Sequence, residues 1–136
     1  HIFRLSGIYG PERNMLERLR QGRVHNLELS ERLVNRIHVA DIAQAVMASI
    51  TKKSIAEEAT GNIIYNVSDD LPAPTKEVLT YAANLLNHPT SVPTQSKKSH
   101  LMDGSRVITN TKLKQDLNLT LKYPNYRDGL KALANA

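Results

Sequence analysis

The sequence predicts an α/β fold, in which short apolar strands alternate with amphipathic helices. Three stretches carry this prediction. Residues 35–50 change from the two-residue alternation of a strand to the period of a helix. Ile63–Val67 is a nearly continuous apolar run, as in a strand buried on both faces. Thr75–Leu86 repeats apolar residues at the helical period, which indicates a second amphipathic helix.

The strand-to-helix stretch is the one around which the other elements are arranged. Apolar Ile37 and Val39 are separated by polar His38, as expected at the end of a strand with one buried face. Asp41 lies in the first turn of the following helix, where a carboxylate complements the positive end of the helix dipole. The predicted inward face of this helix consists of Ile42, Ala43, Val46, Met47 and Ile50.

At the start of the chain, Ile2–Leu5 is predicted to be a short strand and Ser6–Gly10 a loop. Pro11 suits the first position of a helix, because proline lacks the N–H that would be unpaired there. We expect this helix to run to Gln21 and to end at Gly22.

The middle of the chain holds weaker signals. Short strands are expected around Val24–Leu29 and Leu33–Val34, and the central helix should end near Lys52-Lys53. Ser68–Pro74 carries two prolines, so we expect a loop with few backbone hydrogen bonds of its own.

Residues 87–105 are polar and lack any period, which favours a long loop of the kind that often serves as a lid. Residues 106–108 are expected to be extended. Asn110 or Thr111 can cap a short helix that ends at residue 116 or 117. Leu119–Tyr123 alternates like a strand, and Pro124 is expected to open the last helix.

Composition excludes several classes of function. The chain has 136 residues, enough for one domain with a core. It has no cysteine, which rules out disulfides, thiolate metal sites and a cysteine nucleophile. No apolar run reaches the length of a membrane span, so we expect a cytoplasmic protein without a membrane partner. The net charge of +5 suits either a polyanion partner or a solvated surface, and the scattered basic residues favour the surface.

Three motifs together resemble a known family. Residues 36–43 read Arg-Ile-His-Val-Ala-Asp-Ile-Ala, residues 4–11 read Arg-Leu-Ser-Gly-Ile-Tyr-Gly-Pro, and residues 64–70 read Ile-Tyr-Asn-Val-Ser-Asp-Asp. In this order they resemble the C-terminal half of the extended short-chain dehydrogenases/reductases, the NAD(P)-dependent epimerase/dehydratase family. The resemblance implies the last parallel strands of a Rossmann-type sheet, Ile2–Leu5 and Ile63–Val67, with a small α/β substrate-binding lobe formed by the rest of residues 1–136.

The family's catalytic parts do not occur in this sequence. No glycine-rich dinucleotide turn is present, and none of the five tyrosines has a lysine four residues on. The chain also begins inside a predicted strand. We therefore expect a C-terminal piece of a longer protein, with no catalytic residue of its own and with NAD or NADP bound mainly by the part that is missing. Such a piece alone is expected to be inactive.

The cofactor-contact candidates are Ser6, Gly7, Ile8 and Tyr9. In the family this loop follows the sixth parallel strand and lies near the nicotinamide. Open α/β sheets bind ligands at the carboxyl ends of their strands. The alternative is an ordinary strand-to-helix turn whose glycines serve geometry.

The substrate-binding candidates are Arg36, Asn66 and Arg106. Arg36 can bind a phosphate or carboxylate through its guanidinium, or it can form a salt bridge with Asp41 or a nearby glutamate. Asn66 and Arg106 are candidates through the resemblance. Nucleotide-sugar epimerases carry a diphosphate-binding arginine close to the position of Val34 in this chain, which argues against a nucleotide-sugar substrate unless Arg32 or Arg36 takes that role. His38 is expected to orient backbone, and the histidines have no metal-ligand spacing.

The sequence therefore predicts part of an NAD(P)-dependent epimerase/dehydratase-type oxidoreductase. Its substrate would be sugar-like or a small alcohol or carbonyl compound, and this chain would supply the substrate-side wall. The alternative is a non-catalytic dinucleotide-sensing regulator or scaffold of the same fold. A free-standing basic domain that binds nucleic acid is a weaker idea. The expected partners are a small-molecule substrate and, as one option, a second copy in a homodimer, without nucleic acid.

Overall fold

The computed structural model describes residues 1–24, 32–52, 61–87 and 105–136. In chain order, its strands are β1 (Ile2–Leu5), β2 (Gly7–Tyr9), β3 (Leu33–Val34), β4 (Arg36–His38), β5 (Ile64–Val67) and β6 (Ala73–Pro74). Its helices are α1 (Met15–Arg20), α2 (Val39–Thr51), α3 (Thr75–Leu85), α4 (Thr111–Leu117) and α5 (Tyr126–Ala134). The α/β class is confirmed.

The first and fifth strands form a parallel pair. β1 lies beside β5 in the register Ile2 with Ile64 and Leu5 with Val67. Parallel neighbours need a long crossover, which residues between β1 and β5 supply with α2 packed alongside. Both strands were predicted from their apolar runs, although the outward face of β5 leaves Ile64 exposed.

The stretch predicted as a loop after β1 is a second strand. β2 pairs in parallel with β4, with Ile8 opposite Ile37 and Tyr9 opposite His38. The Gly7 N–H donates to the Asn35 carbonyl at 3.1 Å. The loop prediction for residues 6–10 was wrong because the glycines suggested a turn, whereas the pairing partner lies some 30 residues further along the chain.

The first helix begins later than predicted. Asn14 is the N-cap of α1, and its side chain accepts a hydrogen bond from the Glu17 N–H at 3.0 Å. Pro11 therefore lies in a turn before the helix and not at its first position. Gly22 takes the left-handed φ of 65° just after the helix, as predicted for its end.

The segment expected to be a loop with two prolines contains a short strand. β6 pairs antiparallel with β3, with Leu33 opposite Pro74. The pairing brings residues 73–74 against the strand that precedes Arg36. The prediction that this segment makes few backbone hydrogen bonds was therefore wrong at residues 73–74.

The second helix ends where predicted, but it begins at Val39, which was predicted to belong to the strand, and its inward face differs from the prediction. Asp41 and Ala45 are the buried side chains of α2. Val46 is 37% exposed, Met47 59% and Ile50 66%, within the part of the chain that the structure describes. The apolar period correctly indicated a helix, but it could not tell whether this chain covers the apolar side.

Two clusters of buried side chains form the core. The first joins α1, α3 and α5, and α3 contributes Val78, Leu79, Ala82 and Ala83. The second surrounds Tyr65 and Val67 of β5 and includes Leu113 and Leu117 of α4. The first cluster lies beneath the site described below.

The C-terminal segment differs from its prediction in two places. Residues 119–123 are not a strand, although Leu119 and Leu121 are buried as the alternation suggested. The last helix begins at Tyr126, because Asn125 and not Pro124 caps it by accepting from the Arg127 and Asp128 N–H groups. Most of the predicted strand at Val24–Leu29 and of the loop at 87–105 lies outside the described residues. Within the described ranges, every helix is too short or too polar to cross a bilayer.

Candidate functional site

A cavity of about 800 Å³ opens at the carboxyl end of β1. Ser6 and Gly7 bound it just after that strand, and Arg36 bounds it at the start of β4. Arg106 contributes from the segment that precedes α4. Since ligands of open α/β sheets bind at the carboxyl ends of strands, this cavity is the candidate site.

Arg36 is held in the cavity wall by backbone carbonyls. Its Nη1 donates to the Val34 carbonyl at 2.9 Å and to the Ala73 carbonyl at 2.7 Å. Burial lowers the pKa of Arg36 from its usual value, and the nearby Asp69 carboxylate opposes that shift. The side chain thus ties β3 to β6 and still borders the cavity. The predicted pairing partner, Asp41, is engaged elsewhere.

Arg106 is positioned by the side chain of Asn35. The Asn35 amide nitrogen donates to the Arg106 carbonyl, and its amide oxygen accepts from the Ile108 N–H at 2.9 Å. The Leu33 N–H donates to Ser105 Oγ at 3.1 Å, next to this clamp. These bonds fix the segment against β3, and Arg106 and Arg36 border the same cavity. Their contact with substrate stays a prediction.

The cavity wall is strongly positive. Arg18 of α1 and Arg32 also border it, together with Arg36 and Arg106. Within the described ranges, no aspartate or glutamate lines this cavity. Four guanidinium groups without a lining carboxylate make an environment that favours an anionic ligand.

The four cofactor candidates differ in what they offer. Ser6 Oγ is buried without a hydrogen-bond partner in the described part of the chain. Gly7 is exposed and Ile8 is 40% exposed. The Tyr9 side chain instead belongs to the core, where burial raises its pKa above the usual value. The prediction of a cofactor contact therefore depends on Ser6, Gly7 and Ile8, and it stays a prediction.

Asn66 lies apart from the other candidates. It is on the exposed face of β5, opposite Arg4 of β1, and it does not border the arginine-lined cavity. The structure therefore brings together Ser6, Gly7, Arg36 and Arg106 but not Asn66.

His38 acts as a cap, as the sequence predicted for a residue that orients backbone. Its Nδ1 accepts from the Ala40 N–H at 3.1 Å at the start of α2. The ring lies between the rings of Tyr9 and Tyr123, with centroid distances of 5.1 and 4.2 Å. Burial lowers the pKa of His38, which favours the neutral ring that this acceptor role requires.

Asp69 is a buried acid that the sequence analysis did not single out. The residue is 1% exposed, and its two carboxylate oxygens have no hydrogen-bond partner among the described residues. Burial raises the pKa of Asp69 to about 7. Its backbone N–H donates to the Arg36 carbonyl at 2.7 Å. The sequence carries no signal for Asp69, because an aspartate after a strand is common. Only the fold shows that it is buried beside Arg36.

Solved structures of two proteins share both fold and sequence with this chain. A conserved protein of unknown function from Silicibacter pomeroyi is 34% identical over 99% of this chain, with a TM-score of 0.74. A protein of Methylobacillus flagellatus assigned as an NAD-dependent epimerase/dehydratase is 26% identical over 98% of this chain, with a TM-score of 0.72. The chain spans 48% and 46% of these two proteins, about half of each.

More distant structures share the fold alone. The UDP-glucose 4-epimerase of Thermus thermophilus, solved in complex with NAD, is 20% identical over 98% of this chain, with a TM-score of 0.67. The chain covers 44% of that protein. Neither the protein-family models nor the curated proteins give a match.

Proposed function

We propose that this chain belongs to the NAD-dependent epimerase/dehydratase family, with whose structures it shares its fold, and that it forms the substrate-side wall of a nicotinamide-dependent active site. One observation carries the proposal. The arginine-lined cavity opens at the carboxyl end of β1, where Ser6 and Gly7 follow the strand. That is the edge at which sheets of this architecture bind both nucleotide and substrate.

The residues after β1 suit a contact with a nicotinamide dinucleotide. Ser6 Oγ is a buried polar atom without a partner among the described residues, so it has a hydrogen bond to offer to a carboxamide. Gly7 and Ile8 are exposed beside it. When bound, the nicotinamide accepts or donates the hydride. The part played by Ser6, Gly7 and Ile8 is to border its ring and exclude water from that side.

The arginines have the role of holding the substrate. Arg36 is fixed by two carbonyls, and Arg106 is held through the Asn35 clamp on its backbone. Positioned cations orient an anionic substrate before reaction, which lowers the entropic part of the barrier. The reaction is hydride transfer at a carbinol or carbonyl carbon of a sugar-like or small substrate, and the acid–base groups come from outside this chain.

A second candidate is a dinucleotide-sensing regulator of the same fold. Both candidates agree with the absence of a Tyr-x-x-x-Lys pair from residues 1–136. The two candidates differ in the polypeptide that the complete reading frame encodes. A glycine-rich turn with a Tyr-x-x-x-Lys pair favours the oxidoreductase, and a glycine-rich turn without that tyrosine favours the regulator.

The cofactor contact is tested in the complete polypeptide by the fluorescence of bound NADH. We expect Ser6→Val to weaken NADH binding about tenfold, as loss of one buried hydrogen bond does. The matched control is Thr120→Val, which changes an exposed residue away from the cavity. Equal affinity of the Ser6→Val variant and the unchanged protein would contradict the contact.

A further inference from the structure

A smaller cavity of about 200 Å³ adjoins the arginine-lined one. The two share wall residues, among them Met15, Val34 and Arg36. A ligand in the larger cavity can therefore extend into the smaller one. We call the larger cavity the mouth and the smaller one the inner compartment.

The mouth carries cations that have no ion-pair partner among the described residues. Arg18, Arg32 and Arg106 are exposed, and none of them forms an ion pair within the described ranges. Arg36 completes the set at the junction of the two cavities. Unpaired guanidinium groups that converge on one opening select phosphate or carboxylate, because their planar donors match two oxygens at once.

The inner compartment has a mixed wall with one apolar side. Tyr9, Val78, Tyr126 and Leu130 form the apolar side, and each of them is less than a tenth exposed. Its polar wall residues are Arg13, Asn14, Arg18 and Arg36. The apolar side of a hollow of this size gains from a ring or a short branched chain and gives little to a hydrated sugar, whose hydroxyls would lose their water.

We propose that the natural substrate is a small amphiphilic anion, with a phosphate or carboxylate at the arginine mouth and an apolar body in the inner compartment. This inference rests on the proposed function, because it names the substrate class of that same site. In this proposal, Arg32 and Arg106 bind the anionic group. Val34 and Met15, which border both cavities, limit the size and shape of the apolar body.

Calorimetric titration of the complete polypeptide with three probes tests the proposal. The probes are inorganic phosphate, phenyl phosphate and glucose 1-phosphate, which share the anion and differ in the body. We expect phenyl phosphate to bind about tenfold more tightly than the other two, since burial of one ring is worth that much. A parallel titration with phenylacetate shows whether the site prefers a carboxylate or a phosphate. Tighter binding of phenyl phosphate or phenylacetate than of inorganic phosphate and glucose 1-phosphate supports the proposal.

Variants separate the two parts of the site. Arg106→Gln should weaken phenyl phosphate about tenfold, whereas Arg23→Gln, an exposed arginine outside both cavities, should leave it unchanged. Val34→Phe should block the passage and reduce phenyl phosphate to the affinity of inorganic phosphate. Met15→Phe repeats that test at a second position, and circular dichroism shows which variants are folded.

Three results would overturn the proposal. They are equal affinity for the three phosphates, tighter binding of glucose 1-phosphate, and an equal loss in the Arg23→Gln and Arg106→Gln variants. The titrations need no dinucleotide, so they succeed or fail independently of the cofactor contact.

Discussion

The ring of Tyr9 occupies the space that a side chain at Gly129 would need. A Cβ built at position 129 would lie 2.1 Å from the Tyr9 hydroxyl oxygen and 2.7 Å from a ring carbon. The contact places α5 directly against the end of β2. Glycine in the middle of a helix normally lowers stability, and here the close approach of the buried Tyr9 ring explains why a glycine is present.

We therefore expect Gly129→Ala to destabilise the protein, by about 1–3 kcal/mol, although the same change stabilises most helices. Urea denaturation measures the free energy of unfolding. Gly61→Ala is the matched control, because open space surrounds that position, and it should change stability by less than about 0.5 kcal/mol. In a Tyr9→Leu background the added cost of Gly129→Ala should disappear. An alanine variant as stable as the unchanged protein would contradict the contact.

Asp41 gives a second prediction, because it fastens the C-terminal segment to α2. Its carboxylate accepts from the Lys122 N–H at 2.6 Å and from the Tyr123 N–H at 3.1 Å. Asp41→Ala leaves two donors without their acceptor, so we expect a loss of about 2–4 kcal/mol in unfolding free energy. Glu17→Gln, which removes a surface ion pair to Arg20, should cost less than about 1 kcal/mol. Similar losses in the two variants would argue against the fastening role.

The sequence predicted elements whose signal is local. The central helix and Thr75–Leu85 were found from their apolar period, and β1 and β5 from their apolar runs. The second strand was missed because its partner β4 is distant in the chain, and Gly7 and Gly10 resembled turn residues. An element made by pairing carries little local signal.

The sequence predicted only part of the candidate site, because the residues that line a cavity come from segments distant in the chain. Arg36 and Arg106 do border one cavity, but Asn66 lies elsewhere. Arg18 was not singled out, because an arginine on a short helix has no distinguishing pattern. The exposure of Met47 on α2 was also unforeseen, since periodicity marks an apolar face without saying what covers it.

Asp69 leads to a prediction on pH. Its folded pKa of about 7 lies above the unfolded value of about 3.9, so the folded state holds the proton more tightly. The contribution of this group to stability is greatest below about pH 4, falls between about pH 4 and 7, and is constant above that. Asp69→Asn should abolish this fall, which amounts to at most about 4 kcal/mol.

The measurement is the unfolding free energy at several pH values from 4 to 8. Gln115→Ala is the control, because it replaces an exposed side chain that does not titrate. A profile for Asp69→Asn that parallels the unchanged protein over this range would show that Asp69 does not titrate there.

The exposed apolar surface predicts self-association of the chain by itself. In the described part of the molecule, β1 pairs only with β5, which leaves its other edge open. Leu5 on that strand is 44% exposed, and Met47 and Ile50 are exposed on α2. Light scattering at increasing concentration should show oligomers, and a monodisperse monomer would contradict the prediction.

Two pairs of substitutions test whether the apolar face of α2, and not nonspecific association, causes the oligomers. Met47→Lys with Ile50→Glu should reduce the association without changing net charge. The control pair is Gln115→Lys with Asn84→Glu, two exposed polar positions outside that surface. An equal effect of both pairs would exclude a specific role for the apolar face of α2.

The most direct test of the account is the position of the nicotinamide ring relative to the end of β1. In the polypeptide encoded by the complete reading frame, magnetisation transfer by NMR can connect nicotinamide protons with the methyl groups of Ile8. The account predicts cross-peaks from the ring to Ile8, and their loss when an excess of unlabelled NADH analogue displaces the dinucleotide. A bound dinucleotide whose ring shows contacts only to other residues would contradict the claim that this chain walls the active site.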